Sequence, residues 1–375
     1  MRSRSLIREL DYSIPIITLA LVIIGLLMVA SATQTNGFTN NPFVIRQLIA
    51  LILGVIFLIL SLGFDYRVLK EYSEVIYLLN IILLVVVIIF GIEFSGTRRW
   101  VRLGPINLQP AELVKLGLII CLADFFAKHK KELVKIKQCF ISCLYIMPIL
   151  ILGLAQNDLG TNLVFIFIFA GMFYAAGANL KYYFTVVITA VLGIGGMLFA
   201  HFQLGMSIPL KEYQLMRLIV FWDPTIDPLG YGYNIIQSKI AVGSGGLLGK
   251  GLFQGTQTNL GFLPEKHTDF IFSVLGEELG FLGAVVVLVL FFLLLWRIFK
   301  VALEAEDDFG QLLTIGILVM LLFHVFENVG MAIGIMPITG IPLPFISYGG
   351  SSLLTNILAI GLVVNVNVRR KKLKF

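Results

Sequence analysis

Ten runs of mostly apolar residues, separated by polar segments, leave this 375-residue chain little choice of fold. A helix needs about 20 apolar residues to cross the hydrocarbon core of a bilayer. The runs fall at Ile14–Ala32, Val44–Phe64, Val75–Ile92, Ala111–Ala127, Cys139–Ala155, Gly160–Gly177, Tyr182–Phe202, Phe270–Phe299, Phe309–Gly334 and Leu343–Val366. They are continuous rather than alternating, which excludes a strand barrel. Charged residues make up 13% of the chain and hydrophobic ones 58%, where soluble domains are about 25% charged. Too few charges remain to coat a soluble surface. The expected fold is all-α: a polytopic membrane protein of ten transmembrane helices, forming one domain over residues 1–375. Its long extracytoplasmic loop, residues 203–268, joins helices 7 and 8.

Orientation follows from the basic residues. With the N-terminus cytoplasmic, the inner segments carry 18 of the 28 Lys and Arg, so the positive-inside bias places both termini in the cytoplasm. The net charge of +6 then reports basic inner loops, not nucleic acid binding. Arg2, Arg4 and Arg8 before the first run, with Ala30-Ser31-Ala32 near its end, mimic a signal peptide. The apolar core is too long for one, and a retained span is expected. Cys121, Cys139 and Cys143 lack companion ligands and read as small buried residues.

Several charges break the orientation rule. Arg98, Arg99 and Arg102 cluster in the outer segment between spans three and four, and the long loop adds Lys211, Arg217, Lys239, Lys250 and Lys266. Cations placed outside suggest a site for an anion such as a phosphate; lipid head-group contact is the plainer alternative. Glu112 and Lys115 open span four on one helical face, as a cavity feature or a structural ion pair. Asp158 precedes span six, where an Asp commonly caps the helix. Glu277 and Glu278 enter span eight, where carboxylates mark function or helix packing. His324 and Glu327 read as a packing pair in span nine. Asp269, at the end of Pro264-Glu265-Lys266-His267-Thr268-Asp269, stands at the outer interface between apolar neighbours. Such a site raises a carboxyl's proton affinity and suits a general base, although a capping Asp would look similar. The segment Gly243–Gly251 lacks the order of a nucleotide-binding loop, and before it Ile235, Ile236, Ile240 and Ala241 alternate with Gln237, Ser238 and Lys239, as in a short interfacial helix.

These motifs together resemble the SEDS family of bacterial cell-wall proteins (shape, elongation, division and sporulation), most like its elongation branch. The resemblance runs nearly end to end. It is carried by Arg99-Trp100, Gln109–Lys115, Gln156–Thr161, Trp222-Asp223-Pro224, Tyr233–Lys239, Pro264–Phe270 and Gly340–Ser352. Asn157 departs from it, standing where the family usually has Pro.

The resemblance implies a peptidoglycan glycosyltransferase in the bacterial inner (plasma) membrane that polymerises lipid II during cell elongation. It implies a class B penicillin-binding protein as partner, along with other membrane proteins of the elongation complex. It also implies Asp269 as the catalytic residue and Glu112, Lys115 and Asp158 as lining of a central cavity. Arg98, Arg99, Arg102, Arg217 and Lys239 are the candidates to stabilise the departing pyrophosphate. No cofactor is specified; a divalent cation, Mg or Mn, to screen the pyrophosphate is left open. A lipid II flippase and a non-catalytic scaffold that activates the penicillin-binding protein are the rival readings. The gathering of ionisable groups toward the outer half favours chemistry over transport.

Overall fold

The computed structural model describes residues 11–33, 41–94, 97–103, 106–205 and 212–370. They are predominantly helical. The long helices are α1 (Ser13–Thr33), α2 (Pro42–Leu62), α3 (Ser73–Phe90), α4 (Pro110–His129), α5 (Ile136–Ala155), α6 (Leu159–Ala175) and α7 (Leu180–Leu204). After two shorter helices, α8 (Glu212–Trp222) and α9 (Tyr233–Ser244), come α10 (Ile271–Leu303), α11 (Asp308–Ile333) and α12 (Gly350–Val368). Among the described residues seven helices, α1, α2, α3, α5, α10, α11 and α12, are long and apolar enough to cross a membrane. This is a multi-pass membrane protein.

The helices begin where the sequence supplies a start. Asn41 accepts from the Phe43 and Val44 amides, with Pro42 in the first turn of α2, and Pro110 opens α4. Proline is tolerated there because its missing N–H had no helical partner anyway. α11 and α12 are the most buried spans, and α12 packs along the length of α2. At the end of the bundle opposite the candidate site, ion pairs tie the termini of helices together. Arg67 pairs with Asp307 at 2.8 Å and Lys130 with Asp308 at 2.6 Å.

Three features correct the expectation. First, the fold is not purely helical. The segment between α3 and α4 forms a three-stranded antiparallel meander of β1 (Ile92–Phe94), β2 (Thr97–Leu103) and β3 (Ile106–Leu108). Its residues include Ile, Phe, Thr, Trp and Val, which favour strands, with Ser-Gly and Gly-Pro dipeptides between the strands. Second, the expected tenth span starts late. Residues 341–349 are not helical, because Pro342 and Pro344 bring no backbone N–H to a ladder. Third, α10 is broken. Gly280 has φ 66° and ψ −167° inside it, a conformation open essentially to glycine alone.

That break explains the glycine-rich segment. Interrupting a helix strands backbone groups that must find partners where water is scarce. Here the loop supplies them. Lys250 N and Gly251 N donate to the Glu277 and Glu278 carbonyls, while Phe281 N and Leu282 N donate to the Gly246 and Leu247 carbonyls. Backbones this close leave no room for side chains. A Cβ on Gly249, at φ +81°, would lie 2.1 Å from the Glu278 carbonyl oxygen, and one on Gly245 would lie 2.0 Å from that of Gly276. The Glu277 carboxylate, fully buried, fastens the same loop. It accepts from Lys250 Nζ at 2.8 Å, the Gln257 amide at 2.8 Å and Thr258 Oγ1 at 3.0 Å. The neighbouring Glu278 accepts from Ser31 Oγ of α1 at 2.5 Å. Both carboxylates therefore serve packing.

We expect Gly249→Ala to lower stability by about 2 kcal/mol or more, from the left-handed backbone and the carbonyl clash combined. Gly243→Ala, on α9 with open space around it, should be neutral or stabilising by roughly 0.5–1 kcal/mol. Thermal unfolding of the two variants in detergent separates them; equal midpoints would refute the inserted-loop account.

Candidate active site

Asp269 sits in the turn that leads into α10. Its carboxylate reaches the segment before α12, where a Cβ on Gly340 would stand 3.2 Å from Asp269 Oδ2. Gly340 also has φ +75°, so any other residue there would be strained and would crowd the carboxylate. The residue keeps some contact with solvent, yet the protein packed around its carboxyl raises its pKa to about 6. Desolvation is the main cause, followed by the like charge of Glu265; Arg217 and Arg99 oppose the rise, and Asp158 adds to it. Four of the residues expected from sequence, Asp269, Asp158, Arg99 and Arg217, therefore share one electrostatic neighbourhood.

Arg99 comes from β2. Strand alternation puts residues three apart on opposite faces, so Arg99 and Arg102 diverge. Arg99 is largely covered, with Nε 3.5 Å from Asp158 Oδ2, and its Nη2 donates to the Asn157 carbonyl at 2.8 Å. Arg102 is exposed. Asp158 both caps and pairs: its Oδ1 accepts from the Thr161 amide at 3.0 Å, closing the first turn of α6. Asn157 has φ 58°, a left-handed conformation that Asn tolerates and Pro, locked near −65°, cannot adopt. The Asn157 carbonyl also accepts from Tyr213 Oη at 3.0 Å. Arg217 lies over the Tyr213 ring, 5.7 Å from its centroid. Burial and then the like charge of Arg99 hold the Arg217 pKa below the usual guanidinium range.

A second polar group lies deeper. Lys115 and Glu112 are 2% and 3% exposed, and Lys115 Nζ donates to Glu112 Oε1 at 2.8 Å. Lys115 Nζ also lies 2.9 Å from His324 Nε2. His324 Nδ1 is 2.6 Å from the Met320 carbonyl, which can only accept. Nδ1 therefore carries the proton, and Nε2 accepts from the ammonium. The packing pair expected of His324 and Glu327 is not what forms: Glu327 instead accepts from Thr339 Oγ1 at 2.5 Å. An isolated ammonium here would be prohibitively costly. The two partners make it tolerable, and α4 is thereby locked to α11.

Two expected residues fall elsewhere. Lys239 is exposed on α9, its stem alongside Gly334, and no described contact joins it or Arg102 to Asp269. The side chain of Arg98 lies outside the described residues, as does Lys211. Sequence reasoning did not single out Glu265 or Tyr213, and gave His324 no role with Lys115. Glu265 was legible, four residues before Asp269; the other two meet their partners only through tertiary packing. A cleft of about 360 Å³ is lined by Arg217, Gly230, Tyr231, Asn234 and Ile338, and shares Arg217 with the neighbourhood of Asp269. Among the described residues no group of three or more His, Cys, Asp or Glu side chains is arranged to hold a metal ion.

The family model of the FtsW/RodA/SpoVE cell cycle proteins matches residues 12–372. The stage V sporulation protein E of Bacillus subtilis is 38% identical over 364 residues, covering 95% of this chain and 96% of its own. The peptidoglycan glycosyltransferase MrdB of Escherichia coli K12 is 36% identical over 367 residues, covering 97% and 95%. Among solved structures, a chain of a peptidoglycan synthase complex that coordinates polymerization and crosslinking superposes with a TM-score of 0.80 at 33% identity. It covers 97% of this chain and 99% of its own. The rod shape determining protein RodA of Thermus thermophilus superposes at 0.69 with 29% identity, covering 97% and 98%. A model match over nearly the whole length, with relatives this similar end to end, makes the chain a member of the FtsW/RodA/SpoVE family of cell cycle proteins, the SEDS family.

Proposed function

We propose that this protein is a peptidoglycan glycosyltransferase that polymerises lipid II into glycan strands, with Asp269 as its general base. The observation that carries the reading is one carboxylate of raised proton affinity beside two guanidinium groups, Arg99 and Arg217. A base with a pKa near the working pH balances availability against driving force. The acceptor sugar's 4-hydroxyl attacks the donor's anomeric carbon, and its proton passes to Asp269. The bond from that carbon to the pyrophosphate breaks, undecaprenyl pyrophosphate departs, and the α linkage becomes β in a single displacement. Charge builds on the departing pyrophosphate, and Arg99 and Arg217, the cations coupled to Asp269 among the described residues, stabilise it; Arg98, Arg102 and Lys239 are the outer candidates. Asp158 holds Arg99, while Glu112 and Lys115, bonded to each other deeper in the bundle, are the proposed lining of a central cavity.

The same reading makes ten crossings of one domain spanning residues 1–375: the seven long apolar helices together with α4, α6 and α7. An even number puts both termini on one side. Arg67, Lys128, Lys130, Arg297, Lys300, Arg369 and Arg370 stand at the end opposite Asp269 and favour that end as cytoplasmic. The 203–268 loop, with α8 and α9, then lies outside. A class B penicillin-binding protein is the proposed partner, supported by the synthase complex on which the chain superposes, and elongation is the proposed cellular role. In a rod-shaped host depleted of its elongation glycosyltransferase, the chain should restore rod shape; rescue of a division mutant alone would reassign it.

Purified with its penicillin-binding partner and given lipid II, wild type should make glycan strands, and Asp269→Asn should lose at least ~100-fold in rate. Strands from the Asn variant at the wild-type rate would overturn the assignment. Wild-type transport of lipid II without strands would favour the flippase.

The pH profile gives a sharper test. Because the base works deprotonated, kcat/KM should fall as pH drops through about 6, approaching tenfold per unit below it. Glu265→Gln removes a like charge, so the midpoint should move to lower pH. Arg217→Gln removes an opposing charge, so it should move to higher pH while the rate also falls. Midpoints that stay put in both variants would detach Asp269 from the limb.

A further inference from the structure

The turn that carries Asp269 is held by its main chain in an unusual way. Three consecutive carbonyls, those of His267, Thr268 and Asp269, are each captured by a different donor from the α11–α12 region. Tyr348 N donates to His267 O at 2.9 Å. Ser347 Oγ donates to Thr268 O at 2.7 Å, and Asn328 Nδ2 donates to Asp269 O at 2.8 Å.

Asn328 does more than satisfy a carbonyl. Its second N–H goes to the Ile341 carbonyl, also at 2.8 Å, so one amide group ties the Asp269 main chain to the segment beyond Gly340. The preceding residue, Glu327, holds Thr339. Adjacent positions on α11 thus grip the chain on both sides of Gly340, the residue against which the Asp269 carboxylate rests. The other side of Thr339 is closed as well, since a Cβ on Gly160, next to the Asp158 cap, would lie 2.7 Å from the Thr339 carbonyl oxygen. Asn328 is fully buried, and its Oδ1 finds no partner among the described residues. A buried amide oxygen without a partner costs about 1–3 kcal/mol, so apolar packing alone would be served better by Leu. The two donors are what the position uses.

We propose that Asn328 is a positioning residue for the glycosyl transfer: by bonding the Asp269 and Ile341 carbonyls together, it fixes where the Asp269 carboxylate stands relative to Gly340, Arg99 and Arg217. The proposal rests on Asp269 as the base. It places a contributor to the rate on α11, a helix that contributes no group to the proposed chemistry. A base displaced by about 1 Å costs on the order of 100-fold, so a second fixed point for the turn is worth having beyond the covalent chain.

The test compares Asn328→Leu, which keeps the volume but removes both donors, with Ser347→Ala, a milder loosening of the same turn, and with Asp269→Asn. Each is purified as the full chain with its penicillin-binding partner and given lipid II. The measurements are kcat, KM, the pH midpoint of kcat/KM and the thermal midpoint. Asn328→Leu should lower kcat by ~10–100-fold with KM within ~3-fold. Its acid limb should shift, because the carboxylate then stands differently among Glu265, Arg217 and Arg99. Ser347→Ala should shift the same limb with a smaller loss, and it decides the matter if Asn328→Leu fails to fold. A loss that only tracks the folded fraction, with the midpoint unmoved, would make Asn328 structural and overturn the proposal. If Asp269→Asn is dead while both clamp variants keep the wild-type kcat and midpoint, only the positioning role falls. Full activity in Asp269→Asn would instead remove the base, and the positioning role with it.

Discussion

Backbone groups that leave a helix inside a membrane protein must be bonded by protein, because no bulk water competes for them. That single constraint organises the site end of this bundle. The non-helical segment 341–349 bonds almost everything around it. Gln47 of α2 donates to the Ser347 carbonyl and accepts from the Gly349 amide, and Gln109, at the head of α4, donates to Ser351. The turn ahead of α10 hangs from Ser347, Tyr348 and Asn328. Removing the segment would unfasten α2 and the turn ahead of α10 at once, so the prolines that keep it from being helical are structural assets.

The broken α10 obeys the same constraint with a different solution. There the partners come from the outer loop, and the price is glycine: Gly245, Gly249 and Gly280 each stand where a Cβ would strike backbone. Beyond the break, Phe281–Leu303 is 23 residues long, about 35 Å of helix and enough to cross a bilayer by itself. The part before the break is thereby free to serve as a mount for Asp269. The Glu277–Lys250 contact and the Glu278–Ser31 bond fix that mount to the loop and to α1.

Charge is divided between two depths. Glu112, Lys115 and His324 satisfy one another within the bundle and tie α4 to α11. Nearer the end, Asp269 has cations close enough to moderate its protonation but none bonded to its carboxylate among the described contacts. A carboxylate salt-bridged to Arg would be a poor base, since pairing stabilises its charged form. Asp158 instead takes Arg99, leaving Asp269 available.

Much of this could be read from residue order. The apolar runs are local properties, and the described helices largely follow them, although the last begins at Gly350 rather than Leu343. Asp269 was legible because an acid standing where a polar stretch meets an apolar span is unusual, and Asp158 and Arg99 because they stand in compact motifs. The meander was missed because its strands are short and lie between two much stronger helical signals. The break at Gly280 was missed because a glycine inside an apolar run looks like any other; only the approach of Gly245 and Gly249 reveals its purpose. Lys239 and Arg102 are exposed and make no described contact with Asp269; composition counts a cation without showing which way it faces. The sequence by itself determined a helical membrane protein with an acid at one boundary and cations nearby, because hydropathy and charge act locally. Tertiary structure alone decided that Asn328 grips Asp269, that His324 completes Lys115, and that Arg99 turns inward while Arg102 does not. Those contacts join residues up to 209 positions apart, and only packing brings them within bonding distance.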